Sequence, residues 1–152
     1  MHDISTEGQR VDFRNLRSIR QIADQCPALS DATVQRWMFH RHRNGLVRAV
    51  VEIDANTYVD ISAFNEWLYE GKSHVGDFRR LMRLSQVVAR CSLPESKLRH
   101  WLKYRAVNGL CEAVIVKKHR AQGMLLIDIE LFNLWLTKQN QNDAFEAVEM
   151  SA

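Results

Sequence analysis

WMFHRHRNGLVRAV, residues 37–50, is followed 64 residues later by WLKYRAVNGLCEAV, residues 101–114. Such an internal repeat is the first feature to interpret in a new sequence, because each copy should form one structural unit. The two stretches are identical at seven positions, which in the first copy are Trp37, Arg41, Asn44, Gly45, Leu46, Ala49 and Val50.

The repeat extends in both directions when short gaps are allowed. Upstream, QIADQC at 21–26 corresponds to QVVARC at 86–91, and downstream, DISAFNEWL at 60–68 corresponds to DIELFNLWL at 128–136. Changes of length fall between these blocks, where turns are expected to tolerate them. The sequence therefore predicts an N-terminal arm (1–13), module 1 (14–70), a linker (71–77), module 2 (78–138) and a C-terminal tail (139–152).

Composition is compatible with two small domains, each of which can bury one modest core. The 152 residues carry a net charge of +3 and contain no apolar run near the ~20 residues that a membrane span requires. The first residues lack the pattern of a secretion signal, so we expect a cytoplasmic protein. Cys26 and Cys91 occupy equivalent positions, which favours twin core sites over a disulfide.

Each copy has the same predicted order of elements. Apolar spacing predicts a first helix at 14–25, ended by Pro27, and a second helix that Ser30 or Asp31 begins and Asn44-Gly45 ends. Two strands at 46–53 and 57–61 and a third helix at 61–69 follow. The corresponding elements of the second copy are predicted at 78–91, 94–107, 110–117, 124–128 and 129–138. The tail is predicted to be polar chain or a weak helix that orders on a partner.

Two short helices followed by a hairpin and a closing Asp-Ile-x-x-Phe-x-x-Trp-Leu motif resemble the excisionase-like, MerR-related winged-helix domains. The resemblance covers about 14–68 and 78–136. It implies a helix-rich α+β fold of two tandem winged helix-turn-helix modules. It also implies sequence-specific binding of double-stranded DNA, with helix 2 in the major groove and the hairpin on phosphates or the minor groove. Such domains act as recombination directionality factors, often of mobile elements, or as transcription regulators. The resemblance therefore implies a nucleoid-associated protein of a bacterium, phage or plasmid.

The outward face of each second helix should supply the DNA contacts, because donors there can reach base edges and phosphates. The alternative is that these residues only solubilise a surface helix. The second hairpin adds basic residues suited to phosphates, whereas Glu52 and Asp54 make the first hairpin acidic and a poorer DNA contact. The predicted DNA-binding residues are Thr33, Gln35, Arg36, His40, Arg43, Lys97, Arg99, His100, Lys103, Tyr104, Lys117, Lys118 and Arg120.

Other repeated residues have structural interpretations. Trp37, Trp67, Trp101 and Trp135 lie on apolar helix faces and are predicted to be core anchors rather than platforms for base stacking. The repeated Arg41 and its equivalent, Arg105, could oppose the helix dipole, pair with Asp60 and Asp128, or bind phosphate.

Enzyme chemistry has little support in this sequence, because it contains no metal-ligand spacing, glycine-rich phosphate loop or nucleophile motif. We therefore expect a non-enzymatic protein with no cofactor or metal. Its expected partner is double-stranded DNA, on which it could form a homo-oligomer. The alternative function is a protein-interaction adaptor that binds a recombinase, polymerase or host factor through the first hairpin or the tail.

Overall fold

The computed structural model describes residues 10–119 and 122–151, except for the side chains at 118, 119, 122 and 143–151. Module 1 begins with a 3-10 turn at Phe13–Asn15 and ends with a helix that closes the fold. Its elements, in order, are β1 (Leu16–Arg17), α1 (Ile19–Gln25), α2 (Asp31–Phe39), α3 (Arg41–Asn44), a 3-10 turn (Leu46–Ala49), β2 (Val50–Ile53), β3 (Asn56–Asp60) and α4 (Ile61–Leu68).

Module 2 repeats this order after the linker, which confirms the helix-rich α+β class. Its elements are a 3-10 turn (Phe78–Arg80), β4 (Leu81–Met82), α5 (Leu84–Arg90), α6 (Glu95–Lys103), α7 (Arg105–Asn108), a 3-10 turn (Leu110–Ala113), β5 (Val114–His119), β6 (Gln122–Asp128) and α8 (Ile129–Ser151).

Each module contains a three-stranded antiparallel sheet, of which the sequence predicted only the hairpin. The additional strand has two residues and pairs with the last strand, giving the orders β1-β3-β2 and β4-β6-β5. It lies where helix was predicted at 14–17 and 78–82. The first helices instead begin after Ser18, whose hydroxyl accepts a hydrogen bond from the Gln21 amide, and after Arg83.

The predicted second helix is broken in both copies. His40 ends α2 with φ −100° and ψ 19°, and Tyr104 ends α6 with φ −104° and ψ 23°. One short further turn, α3 or α7, then reaches the glycine, which adopts the left-handed conformation (φ 84° at Gly45). Hydrophobic periodicity could not reveal this break, because none of the residues of α3 or α7 that follow it is buried.

The asparagine before the left-handed glycine has the same structural role in both copies. Asn44 donates to the Trp37 carbonyl (3.1 Å), accepts from the Leu46 amide (2.9 Å), and receives the Trp67 indole N–H on its own carbonyl (2.7 Å). Asn108 makes the same three bonds to Trp101, Leu110 and Trp135. One side chain and one carbonyl thus join helix 2, the following turn and the closing helix.

The buried residues form two clusters, but the clusters do not coincide with the two modules. The second cluster lies within module 2, but the first contains Phe78, Leu81, Ile115 and Leu126 of module 2 together with the core of module 1. One face of the second hairpin therefore packs on module 1 and the other on its own module. The linker accordingly joins two packed modules.

The prediction of a core site for Cys91 is wrong, because Cys91 is exposed, whereas Cys26 is buried. Trp101 packs against the core of module 2 but is only partly buried, unlike the other three tryptophans. Burial raises the pKa of the Cys26 thiol to about 11, as expected of an inert core cysteine. The two cysteines are equivalent in the repeat but differ in environment. Module 2 covers the turn between α1 and α2, which contains Cys26, whereas the turn between α5 and α6, which contains Cys91, is exposed.

Polar bonds across the two modules centre on Asp128, which is 0% exposed. Its carboxylate accepts hydrogen bonds from the Tyr69 hydroxyl and from Arg80 (2.9 Å), and it also accepts from the Leu131 amide (3.1 Å) at the start of α8. Gly76 leaves room for this cluster, since a Cβ there would lie 2.6 Å from atoms of the three polar side chains.

Further bonds join α5 to the α1–α2 turn of module 1. Arg83 donates to the Ala28 carbonyl (2.8 Å), and Gln86 donates to the Pro27 carbonyl (2.6 Å). The Arg83 guanidinium is therefore used in a contact inside the protein. Hydrogen bonds from side chains at the start of α5 to backbone carbonyls of module 1 therefore join the modules at a place outside the linker.

The closing helix of module 2 continues to Ser151, so residues 139–151 of the predicted tail are part of α8. Residues 1–9 of the predicted arm lie outside the described residues, and Phe13, the last residue of the arm, begins the 3-10 turn Phe13–Asn15. No helix in the described residues is both long and apolar enough to cross a membrane.

Candidate nucleic-acid interface

The outward face of α6 is basic and exposed. Lys97, Arg99, His100 and Lys103 are all exposed there, while Leu98 and Leu102 on the opposite face are buried. Burial of one face fixes the helix. The spacing of about 3.6 residues per turn then places Arg99, His100 and Lys103 on one side, with Lys97 at the edge next to His100. This is the largest group of predicted contacts that the structure brings together.

The basic side chains of α6 have only weak internal partners. Arg99 pairs with Glu95 one turn earlier (2.7 Å), and Lys103 lies 5.5 Å from the ring of Tyr104. Lys97 lies 5.8 Å from the Trp101 ring, and the His100 ring is 4.9 Å from that of Tyr104. Exposed pairs of this kind contribute roughly 0–1 kcal/mol, so an anionic ligand could displace them at little cost.

The equivalent face of α2 is less charged. Gln35 and Arg36 are exposed, and Gln35 donates to Asp31 (3.1 Å). Phe39 is 80% exposed at the position of Lys103, with its ring 4.9 Å from that of the half-buried His40. Arg43 is exposed on α3 beyond the break, so this face presents an aromatic ring between two arginines.

Thr33 is not on this surface. Its side chain is buried, and its hydroxyl lies 2.9 Å from that of Ser30, which caps α2. A threonine three residues after a helix-capping serine can turn inward to complete the cap, whereas periodicity alone placed it outside. This burial removes Thr33 from the candidate contacts.

The repeated arginines satisfy backbone carbonyls near the helix break. Arg41 donates to the Met38 carbonyl (2.9 Å), and Arg105 donates to the Leu102 carbonyl (2.7 Å). Their predicted pairing with Asp60 and Asp128 is wrong, because Asp60 caps α4 and Asp128 binds Tyr69 and Arg80. The role of a cation at a helix C-terminus fits the geometry, since the break leaves carbonyls without helical partners.

Lys117, predicted to bind DNA, instead packs on module 1. Its ammonium donates to the Trp67 carbonyl (2.8 Å) and lies 4.0 Å from the centre of the Trp67 ring. Burial lowers the pKa of Lys117, and nearby Arg48 also lowers it, whereas Glu70 raises it. Lys117 is therefore an interdomain residue. Lys118 has its backbone in β5 and its side chain outside the described residues, and Arg120 lies outside them altogether.

The chain matches no protein-family model, no curated protein and no solved structure. The chemistry of the surface must therefore be judged from its own residues. The described side chains form no group of three or more His, Cys, Asp or Glu that could hold a metal ion. The positive, exposed and weakly paired face of α6 is suited to a polyanion, whereas exposed Glu52 and Asp54 on the first hairpin oppose one.

Replacement of Lys117 by alanine should lower the free energy of unfolding by about 1–2 kcal/mol, because it removes a half-buried cation from the Trp67 ring. Chemical denaturation measures this directly. Lys103→Ala is the matched control, since that ammonium faces an exposed ring and its loss should change the free energy by under about 0.5 kcal/mol. Equal effects of the two substitutions would contradict the interdomain role of Lys117.

Proposed function

We propose that the protein binds double-stranded DNA through two winged helix-turn-helix modules, with α6 entering the major groove. The observation that carries the proposal is the face of α6, where four basic residues are exposed on a helix whose other side is anchored in the core. Arginine can pair in bidentate fashion with guanine, and lysine neutralises phosphates. The proposal places the protein in the cytoplasm, as a recombination directionality factor or transcription regulator.

The two modules contribute unequally under this proposal. Module 2 supplies most of the charge through Lys97, Arg99 and Lys103. Module 1 supplies Arg36, Arg43 and the exposed ring of Phe39, and its acidic hairpin is directed away from phosphate by repulsion. The site on DNA should therefore consist of two unlike half-sites rather than a palindrome.

The test is the salt dependence of binding to DNA selected from a genomic pool. Each phosphate contact contributes about 0.9 to the slope of the logarithm of affinity against the logarithm of salt concentration. A variant with Lys97, Arg99 and Lys103 changed to alanine should therefore have a slope smaller by about 2–3 and a binding constant at least tenfold weaker. Fluorescence anisotropy on one fragment gives both quantities.

The matched control removes three positive charges elsewhere, at Arg14, Arg48 and Lys138, all of which are exposed. It should keep the slope within about 1 of the original, because general charge contributes less than direct phosphate contacts. The proposal fails if the original protein selects no DNA, or if the two triple variants weaken binding to the same extent. A protein-interaction adaptor is the second candidate, favoured by the exposed apolar residues of module 1.

A further inference from the structure

Phe13 and Phe78 occupy the same position in the two copies but have opposite environments. Phe78 is 0% exposed, its ring packs edge-on against Phe64 at 5.5 Å, and its amide donates to the Asn65 side chain (2.8 Å). Phe13 is 80% exposed. Module 1 covers Phe78, and nothing in the described part of the chain covers Phe13 in the same way.

The first hairpin shows the same contrast. In the second hairpin, Ile115 and Leu126 are buried in the cluster shared with module 1. Their equivalents by the repeat, Val51 and Tyr58, are only half-buried. Ile53, equivalent to Lys117, is 44% exposed. Phe13, Val51, Ile53 and Tyr58 form what we call the hairpin face, the uncovered counterpart of a surface that module 2 buries.

The part of α8 that corresponds to the contact surface of α4 is also uncovered in the described residues. Module 1 receives module 2 through Phe64, Asn65 and Leu68 of α4. The repeat places Phe132, Asn133 and Leu136 at these positions on α8. Asn133 is exposed and Leu136 is half-buried, whereas Leu68 is fully buried. Asn133, Leu136 and exposed Thr137 form what we call the helix face, which lacks the neighbour that α4 has.

The hairpin face and the helix face each differ from their buried counterparts at one position, and these two differences are compatible with each other. Lys117 needs an acceptor and finds the Trp67 carbonyl, which is accessible because α4 ends at Leu68. Continuation of α8 to Ser151 occupies the carbonyl of Trp135 within the helix. The residue that would approach that carbonyl is Ile53, which has no side-chain donor to satisfy. The lysine at position 117 thus has a free backbone carbonyl to bind, whereas its apolar equivalent at position 53 would meet a helix whose carbonyl is already bonded.

We propose that the hairpin face of one copy packs on the helix face of a second copy, in the manner of module 2 on module 1. The contact is head-to-tail, so in a pair one copy retains an unused helix face and the other retains an unused hairpin face. Successive copies would then continue the arrangement that the duplication establishes inside one chain. This contact does not depend on DNA and can be tested without it.

Two single variants separate the faces. Phe13→Asp places a charge on the hairpin face, and Asn133→Arg places a bulky charge on the helix face, both at exposed positions that leave the fold intact. Sedimentation of the original protein without DNA should show a mass that rises with concentration beyond the monomer. Each variant alone should remain monomeric, with self-association at least tenfold weaker.

An equimolar mixture of the two variants provides the decisive measurement. Each retains one intact face, so the mixture should form a dimer and stop there. Phe39→Asp is the control, since Phe39 is also 80% exposed but lies outside both faces, and it should associate as the original does. A monomeric original protein at all concentrations, a mixture without dimer, or equal loss in the control would overturn the proposal. Failure of DNA binding would leave these results unaffected.

Discussion

We expect Trp67→Ala to lower the free energy of unfolding by about 3–5 kcal/mol, the usual cost of truncating a large buried aromatic residue. Trp67 is buried between Trp37, whose ring meets it edge-on at 5.4 Å, and Phe64, which stacks on it at 6.0 Å. Its loss also removes the indole bond to Asn44 and the ring beneath Lys117. The substitution thus weakens both the core of module 1 and its contact with module 2.

Chemical denaturation of Trp67→Ala should be compared with that of Trp101→Ala. Trp101 is half-buried and packs against the core cluster of module 2, so its truncation should cost less, about 1–3 kcal/mol. A cost for Trp101→Ala equal to that for Trp67→Ala would contradict the difference in burial between the two residues. A small domain has only about 5–15 kcal/mol of stability, so the larger loss should be visible as partial unfolding near body temperature.

The second large effect is expected for Asp128→Ala, at about 2–4 kcal/mol, because a buried carboxylate loses its hydrogen bonds to Tyr69, Arg80 and the Leu131 amide. Arg80 keeps its ion pair with Glu130 (2.9 Å), whereas the buried Tyr69 hydroxyl loses its carboxylate acceptor. A buried polar group without a partner costs about 1–3 kcal/mol in addition to the lost bonds. Both partners belong to the contact between modules, so the variant should loosen the second hairpin from module 1.

Asp60→Ala is the matched control, because Asp60 occupies the same position in the first repeat. Its carboxylate caps α4, accepting from the amides of Ser62 (2.9 Å) and Ala63 (3.2 Å), and loss of such a cap costs about 1 kcal/mol. If denaturation shows equal losses for the two variants, the Asp128 cluster contributes no more than a helix cap.

The same cluster implies a pH dependence. Burial and the hydrogen bond to Asp128 raise the pKa of Tyr69 above its usual value of about 10. The protonated hydroxyl is therefore favoured in the folded state, so its contribution is complete below pH ~10 and is lost as pH rises above that value. Tyr69→Phe and Asp128→Ala should both show a shallower loss of stability above pH ~10 than the original protein.

The repeat allowed much of the fold to be predicted, because identical residues at caps and turns specify the same local structure twice. Ser30, Asn44 and Gly45 act as predicted, and Trp37 is buried as predicted. The two-residue strands β1 and β4 were missed because strands so short have no measurable alternation. Their pairing depends on β3 and β6, which are distant in sequence.

The candidate site was harder to predict because the contact between modules has no local signature. A lysine on a hairpin has the same pattern whether it faces DNA or, as Lys117 does, the ring of another module. Phe13 and Phe78 are the same residue in the same motif, yet only the second meets a neighbouring module. Sequence periodicity identifies which side of an element is apolar, but it does not identify what covers that side.

The core shared by the two modules also affects how the chain matures during synthesis. Module 1 is complete in sequence at residue 70, but its apolar surface is closed by Ile115 and Leu126, which are translated later. At about 5–20 residues per second, the ribosome needs roughly 3–11 s to add that segment. During this interval the emerging first half presents Phe64 and Trp67 without their final neighbours. The nascent chain is therefore exposed to chaperone capture or aggregation over a window that two independent domains would not have.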